Sequence, residues 1–398
     1  MLSPTMPNPS CLASMRPASE SAMSIETRFR RITSGATFIP QIDGLRFVAI
    51  ASVVAFHLYA QLERYDDLHL GGLAGLALRH GDRGVSLFFV ISGFILGLPF
   101  ASSRLTGAPA VKLKKYFLRR LTRLEPPYIL NLLICFFLLI AVNHGNFRSL
   151  FPHLLTSVVY IHNLVYANPS TVNPVAWSLE VEVQFYCLVP LLALIFAVRS
   201  KNMRRLLMVV IMIAIGFAQL QWLASDVGRG RLSIAYYLQF FIAGFVLADI
   251  YLTEAQSVHW GWDCVSVVGW PLVFLAWTNC FRVLMPFVII ALYLAAFRGK
   301  ITSRAFRSPA LTIVGGMCYT IYLLHFTVIA AVSRFDPYQA VILFIPISIV
   351  AILIFGTAYY LLMERPCMDR HWPARLVSAV VRITSSLEMP SDSRKVTD

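Results

Sequence analysis

The sequence predicts an all-α membrane protein, a polytopic bundle of about ten transmembrane helices with both its N- and C-termini in the cytoplasm. Composition is the first observation behind this prediction. The 398-residue chain is 58% hydrophobic and only 14% charged, whereas soluble domains carry about 25% charged residues. The second is a series of long apolar runs, and the third is the placement of Lys and Arg between alternate pairs of these runs.

Ten apolar runs approach or exceed the length of a membrane-crossing helix, which is roughly 20 residues. The division between the seventh and eighth runs is narrow, because only four residues, Asn279 to Arg282, separate them. The predicted spans are 43–62, 84–102, 125–143, 175–198, 206–224, 232–252, 263–280, 283–298, 310–333 and 338–363.

Basic residues collect in the segments that follow the second, fourth, eighth and tenth runs. With ten spans and an internal N-terminus, these four segments share one side of the membrane, which the positive-inside rule identifies as the cytoplasm. The same pattern explains the net charge of +14 without nucleic acid as a partner. The residues are Lys112, Lys114, Lys115, Arg119, Arg120, Arg123, Arg199, Lys201, Arg204, Arg205, Arg298, Lys300, Arg304, Arg307, Arg365, Arg370 and Arg375.

A membrane domain is predicted over residues 38–370. We expect residues 1–37, rich in Ser, Pro and Met, to form a disordered cytoplasmic tail, and residues 371–398 to form a second cytoplasmic tail. The longest outer connection, 144–174, contains LLTSVVYIHNLVY, which could form a short interfacial or re-entrant helix. None of the seven cysteines has C-x-x-C spacing, so we expect neither a disulfide framework nor a metal site.

The first span carries two ionisable residues, Arg46 and His57, with only apolar or small residues between them. An ionisable residue inside a membrane span is costly, and it is a functional-site hypothesis by default. Eleven helical residues advance about 16 Å and complete close to three turns, so both side chains share one face. A fixed cation and a titratable imidazole on one stripe suit a long ligand with an anionic head and a reactive tail.

Other ionisable residues fall at two depths in this topology. Glu182 and His325 lie at a depth similar to that of His57, whereas Arg119 and Arg123 lie near the cytoplasmic surface, as Arg46 does. Arg119 and Arg123 are i,i+4 neighbours and should face the same way.

Three further polar residues have plainer interpretations. Glu180 is rotated about 160° from Glu182 on its helix, so we expect it to face the outer interface and rank it lower. Ser92 is expected to hydrogen-bond the backbone of its own helix. Glu364 is interpreted as a helix-end or ion-pair residue.

Six motifs in order resemble those of the acyltransferase-3 family of membrane O-acyltransferases. One of them differs, since Ser86 stands where the family commonly has Asp. The motifs cover residues 41–366, nearly the whole membrane region. They are QIDGLRFVAIASVVAFH with its Arg-x10-His, GVSLFFVISGF, RRLTRLEPPY, WSLEVEVQFY, YTIYLLH and ERP.

The resemblance implies an acyl-CoA donor, usually acetyl-CoA, and a hydroxyl acceptor on a carbohydrate or glycolipid, with no permanently bound cofactor. His57 is then the expected general base, because neutral imidazole has a pKa near working pH. Arg46, Arg119 and Arg123 are expected to bind the phosphates of CoA, to which guanidinium groups are suited. Glu182 is expected to orient a histidine or hold the acceptor. His325 is expected either to bind substrate or to hydrogen-bond a neighbour, and all of these groups are expected along one passage from Arg46 to His57.

Two alternatives stay open from the residues. Buried charges and interrupted helices also mark transporters, so a glycoconjugate transporter or flippase is the second class, although no internal repeat is visible in the sequence. The third is an O-acyltransferase that acts on a small molecule such as a macrolide. In every case the expected location is the inner or plasma membrane of the cell, with the lipid bilayer as a partner.

Overall fold

The computed structural model describes residues 38–66, 71–143, 145–223, 230–276, 278–335 and 341–369, together with 372, 373 and 378. Within these residues every regular element is helical and none is a strand, which confirms the predicted all-α class. The two predicted tails fall almost wholly outside the described residues. The sidedness of the termini stays a prediction.

Sixteen α-helices build the described part of the chain, and short 3-10 or π turns extend some of them. The helices are α1 (Pro40–Asp66), α2 (Gly72–Arg79), α3 (Gly84–Leu105), α4 (Leu113–Asn143), α5 (Phe147–Val158), α6 (His162–Tyr166), α7 (Trp177–Leu192), α8 (Lys201–Ala218), α9 (Ile234–Thr253), α10 (Gly261–Leu275), α11 (Asn279–Arg298), α12 (Thr302–Phe306), α13 (Pro309–Gly316), α14 (Cys318–Phe335), α15 (Val341–Tyr359) and α16 (Arg365–Met368).

The membrane spans agree with the predicted runs in place and differ slightly in number. Among the described residues, eight helices are long and apolar enough to cross a bilayer, and the pair α13–α14, bent by 70°, makes nine if it counts as one span. The remaining predicted run, 263–280, falls on α10, whose 15 residues are too few for that length criterion. The chain is therefore a multi-pass membrane protein, and its described residues contain eight or nine qualifying spans, where the sequence predicts about ten.

Helix α4 begins at Leu113, twelve residues before the predicted start of the third span. The basic residues that precede that span are therefore helical, apart from Lys112, and do not form a loop. At 1.5 Å per residue, the 31 residues of α4 measure about 46 Å, which exceeds the roughly 30 Å of hydrocarbon in a bilayer. Hydropathy marks only the apolar part of such a helix, which is why the sequence places its start too late.

Glycines allow the central helices to touch backbone to backbone. Among the described helices, α3 and α9 pack against each other most extensively. A Cβ atom at Gly93 would collide with the carbonyl of Phe241, and one at Gly244 would collide with the backbone of Val90 and Phe94. Small residues at such crossings are how helices approach closely within a membrane.

A similar contact joins α1 to the bent pair. A Cβ atom at Gly315, near the end of α13, would collide with the carbonyl of Asp43, and one at Gly44 would collide with the carbonyl of Phe306. Residue Arg46 is one turn further along α1. The start of α1 is therefore fixed against the α13–α14 bend, where α14 begins at Cys318.

Buried charges hold α8 against α9. The Arg204 side chain is 2% exposed and pairs with Asp249, whose carboxylate is fully buried. Arg205 donates from Nε to the other oxygen of Asp249 at 2.8 Å and also pairs with Glu254. The hydrogen bond from Arg205 lowers the pKa of the Glu254 carboxyl, which lies beyond the end of α9.

We predict that Gly244→Val destabilises the α3–α9 crossing. Overpacking usually costs about 1–3 kcal/mol, and the neighbouring atoms here are backbone atoms that cannot rotate away. Thermal unfolding of the detergent-solubilised protein should show a clear decrease in melting temperature. Gly71→Ala is the control, since nothing lies within 4 Å of its Cβ position; equal melting of the two variants would contradict the close crossing.

We also predict that Asp249→Asn is strongly destabilising, by about 3–5 kcal/mol, because it leaves buried guanidinium charge without its carboxylate. The comparison variant is Lys201→Gln, which removes an exposed pair with Glu254 at 3.8 Å and should cost about 0–1 kcal/mol. Chemical denaturation of both variants in the same detergent measures the difference. Equal losses would show that the buried pair has no special role.

Candidate active site

A cavity of about 640 Å³ opens between α1, α3, α4, α7 and α14. Apolar residues of α3 form much of its wall, and polar groups from the other four helices point into it. This volume falls within the usual range for small-molecule sites. Four of the six predicted site residues, Arg46, Glu182, Arg119 and Arg123, line this cavity.

One part of the cavity wall is strongly basic. Its cations come from α1, from α4 and from the segment just before α4. Most of this positive charge is supplied by the short stretch 112–123. The basic lining residues are Arg46, Lys112, Lys115, Arg119, Arg120 and Arg123.

Arg46 is nearly buried, with 8% of its surface exposed. Its guanidinium forms an ion pair with Asp43, one turn earlier on α1. Asp43 is itself 3% exposed, and its backbone lies against Gly315. The pair compensates the buried charge and orients the guanidinium toward the cavity, where it can meet an anionic ligand.

The α4 arginines follow the predicted i,i+4 geometry, since Arg119 and Arg123 both line the cavity. Arg120 also lines the cavity, with its guanidinium 3.7 Å from the ring centroid of Tyr116. The buried Nε atoms of Arg120 and Arg123 have no hydrogen-bond partner among the described residues. Such unsatisfied donors favour an anion at this wall.

Glu182 lines the cavity, and no hydrogen bond joins it to a histidine among the described residues. Its carboxylate accepts a hydrogen bond from the Ser92 hydroxyl at 2.5 Å, so the expectation that Ser92 bonds its own backbone is wrong. The expectation that Glu182 orients a histidine is also not met in this structure. The predicted depth of Glu182, about two turns into its span, does not reveal that this face of α7 turns toward α3.

His57 and His325 lie side by side, from α1 and α14. The His325 Nε2 atom is 3.2 Å from His57 Nδ1. Backbone carbonyls face both Nδ1 atoms, that of Val53 at 2.9 Å from His57 and that of Tyr322 at 2.8 Å from His325. Because a carbonyl only accepts, each neutral ring carries its hydrogen on Nδ1. The single Nδ1 hydrogen of His57 is then shared between the Val53 carbonyl and His325 Nε2, and the Nε2 of His57 keeps an available lone pair.

Neither histidine is among the residues that line the cavity. His325 is fully buried and His57 is half-buried. The cavity wall nearest to them contains Tyr322, whose ring centroid is 5.7 Å from that of His325. The expected single passage from Arg46 to His57 is therefore interrupted at Tyr322 in this conformation.

Two asparagines that the sequence analysis did not select fix α14 near His325. Asn131 on α4 and Asn173, before α7, both donate to the carbonyl oxygen of Leu323, at 3.3 and 3.1 Å. Asn131 is a polar residue within an apolar span, so the sequence alone could have identified it as a candidate. Asn173 stands in a loop and gives none.

The outer connection folds over α7 as the short helices α5 and α6, consistent with the short helix expected over LLTSVVYIHNLVY. Glu180 is wholly buried beneath it and accepts a hydrogen bond from the backbone N–H of Asn163 at 2.8 Å. The expectation that Glu180 faces the outer interface is therefore wrong, because α6 covers that face of α7. Glu364 is buried as well, accepting from the Thr320 hydroxyl at 2.6 Å, and it lines the cavity.

Comparison with known proteins is consistent with this geometry. Residues 39–361 match the acyltransferase domain of the acyltransferase-3 family. The O-acetyltransferase OatA of Staphylococcus aureus strain NCTC 8325 is 22% identical over 327 residues, which is 75% of this chain and 52% of that protein. A second S. aureus protein, from strain COL and provisionally named an O-acetyltransferase, is 23% identical over 363 residues, 83% of this chain and 57% of its own.

This chain thus spans little more than half the length of these two relatives. No solved structure matches it. The family match nevertheless covers most of the sequence and all of the helices that form the cavity and the histidine pair. The chain belongs to the acyltransferase-3 family of membrane O-acyltransferases.

Proposed function

We propose that this enzyme transfers an acetyl group from acetyl-CoA to a hydroxyl of a cell-envelope or exported carbohydrate, at the inner or plasma membrane. The observation that carries the proposal is the pairing of a basic cavity with two adjacent imidazoles beyond one of its walls. The cavity suits the anionic donor, and the imidazoles suit the proton transfer that acylation of an alcohol requires.

The donor half of the proposal rests on the α1 and α4 cations. CoA carries phosphates at one end and the thioester at the other, so its head needs fixed positive charge and its tail needs an apolar path. Arg119 and Arg123 supply the charge, together with Arg46, and α3 supplies the apolar wall. Guanidinium groups bind phosphate through paired hydrogen bonds and remain charged at any physiological pH.

His57 acts as the general base in this proposal. Its Nε2 lone pair removes the proton of the acceptor hydroxyl while that oxygen attacks the acetyl carbonyl. The carbon–sulfur bond breaks as the ester forms, and the imidazolium returns the proton to the sulfur of CoA. The Val53 carbonyl and His325 Nε2, which share the hydrogen on His57 Nδ1, fix the tautomer that leaves Nε2 free.

The acceptor would approach the half-buried His57 from outside the cavity, on the predicted outer side of the membrane. The relatives named O-acetyltransferase support acetyl as the group and oxygen as the acceptor atom. A carbohydrate is proposed over a small molecule such as a macrolide. Analysis of O-acetyl esters on surface glycans, with and without the gene, tests this choice; unchanged glycans would favour the small-molecule acceptor.

We predict that His57→Ala lowers acetyl transfer about a hundredfold or more, the usual contribution of a general base. The assay uses purified protein, acetyl-labelled acetyl-CoA, and glycolipid and polysaccharide extracts as acceptors. Donor binding is measured separately as protection by CoA of Cys318, which lines the cavity, against maleimide labelling. Protection should persist in the variant. Full acetyl transfer by the His57→Ala variant would exclude His57 as the general base.

We predict that Arg123→Gln and Arg119→Gln each raise the KM for acetyl-CoA about tenfold, because a hydrogen bond to a charged group contributes about 1.5–3 kcal/mol. The effect on kcat should be smaller. Lys114→Gln is the matched control, since this exposed lysine lies in the same basic run but does not line the cavity. An equal rise of KM in Lys114→Gln would show that the effect comes from general surface charge and not from the cavity arginines.

A further inference from the structure

The cavity ends at a tyrosine that is fixed in place from several sides. Tyr322 on α14 is 6% exposed. Its ring lines the cavity and lies 5.7 Å from the ring of His325, one turn further along the same helix. On another side the ring contacts that of Phe88, at 6.2 Å between centroids. The Tyr322 ring is therefore a part of the cavity wall that adjoins the imidazole pair.

Two hydrogen bonds hold the phenol. The Tyr322 hydroxyl lies 2.8 Å from the carbonyl oxygen of Val175 and 2.7 Å from the Ser178 hydroxyl. Since a carbonyl only accepts, Tyr322 donates to Val175, and Ser178 donates to the phenol oxygen. Val175 belongs to the turn Pro174–Ala176, which joins the outer 145–173 segment to α7. The position of the ring thus depends on the position of that turn.

A base beside a thioester activates water as readily as it activates an alcohol. Water would attack the acetyl carbonyl, the carbon–sulfur bond would break, and the proton would pass to sulfur, giving acetate and CoA. An enzyme that binds its donor before the acceptor arrives therefore gains from keeping the thioester away from the base until then.

We propose, on the basis of the proposed function, that Tyr322 is a positioning residue that separates the bound donor's thioester from the imidazole pair until the acceptor engages the outer segment. Movement of the 174–176 turn removes the acceptor of the phenol's hydrogen bond and releases the ring. The acetyl group then reaches His57 only when a hydroxyl is present to receive it, and hydrolysis of the donor is limited.

The first test compares acetyl-CoA hydrolysis with acetyl transfer in the full-length protein. Tyr322→Phe keeps the ring and loses the hydroxyl, so the hydrolysis-to-transfer ratio should rise about fivefold, the population shift expected from one lost neutral hydrogen bond. Tyr322→Ala should raise the ratio further. Tyr128→Phe is the control, because that buried tyrosine also bonds a backbone carbonyl of the outer segment, Ser157 at 3.0 Å, but does not line the cavity. A wild-type ratio in Tyr322→Phe would overturn the proposal.

A second test does not depend on acetyl transfer. In a chain whose seven native cysteines are replaced, His325→Cys places a thiol behind the Tyr322 ring. Labelling by a small methanethiosulfonate reagent should be slow with Tyr322 present and faster with Tyr322→Ala, and CoA should slow the faster reaction. Equal labelling rates with Tyr322 and with Tyr322→Ala would show that the ring does not separate the cavity from position 325, and would overturn the proposal. If the wild type consumes no acetyl-CoA, the proposed function fails, and the labelling still decides whether Tyr322 closes the cavity.

Discussion

A buried guanidinium needs an anionic partner, and the ion pair of Arg46 with Asp43 meets this need at the base of the cavity. An isolated charge in an apolar medium costs many kcal/mol, so the pair must form before α1 can pack. Gly44 and Gly315 allow that packing by letting backbones touch on both sides of Asp43. The start of α14 is fixed as a result, and α14 carries Tyr322 and His325.

Parallel placement of α1 and α14 explains how two separate polar sites arise from two helices. Arg46 and Cys318 lie at the cavity, whereas His57 and His325 meet further along the same two helices. The distance from Arg46 to His57, about 16 Å along the helix, suits a ligand with its charge at one end and its reactive carbon at the other. Backbone carbonyls, and no carboxylate among the described residues, orient the imidazoles.

Much of this arrangement is visible in the sequence. Apolar runs identify the helices, and helical periodicity places Arg46 with His57 and Arg119 with Arg123. Depth in the bilayer predicts that His57 and His325 can meet. The sequence does not show which face each helix turns toward its neighbours. That orientation determines that Glu182 accepts a hydrogen bond from Ser92 and that Glu180 is buried under α6.

Helix α4 has one more consequence for how a water-soluble donor is recruited. Because this helix is longer than the hydrocarbon layer is thick, its arginine-rich first turns reach the headgroup level, among lipid phosphates and counterions. With the proposed acyl-CoA donor, the highly charged nucleotide would stay in the aqueous phase, and only the slender, uncharged arm of the molecule would enter the protein between helices. Salt and anionic lipids would then compete directly for the same guanidinium groups, which would make bilayer composition a determinant of donor supply.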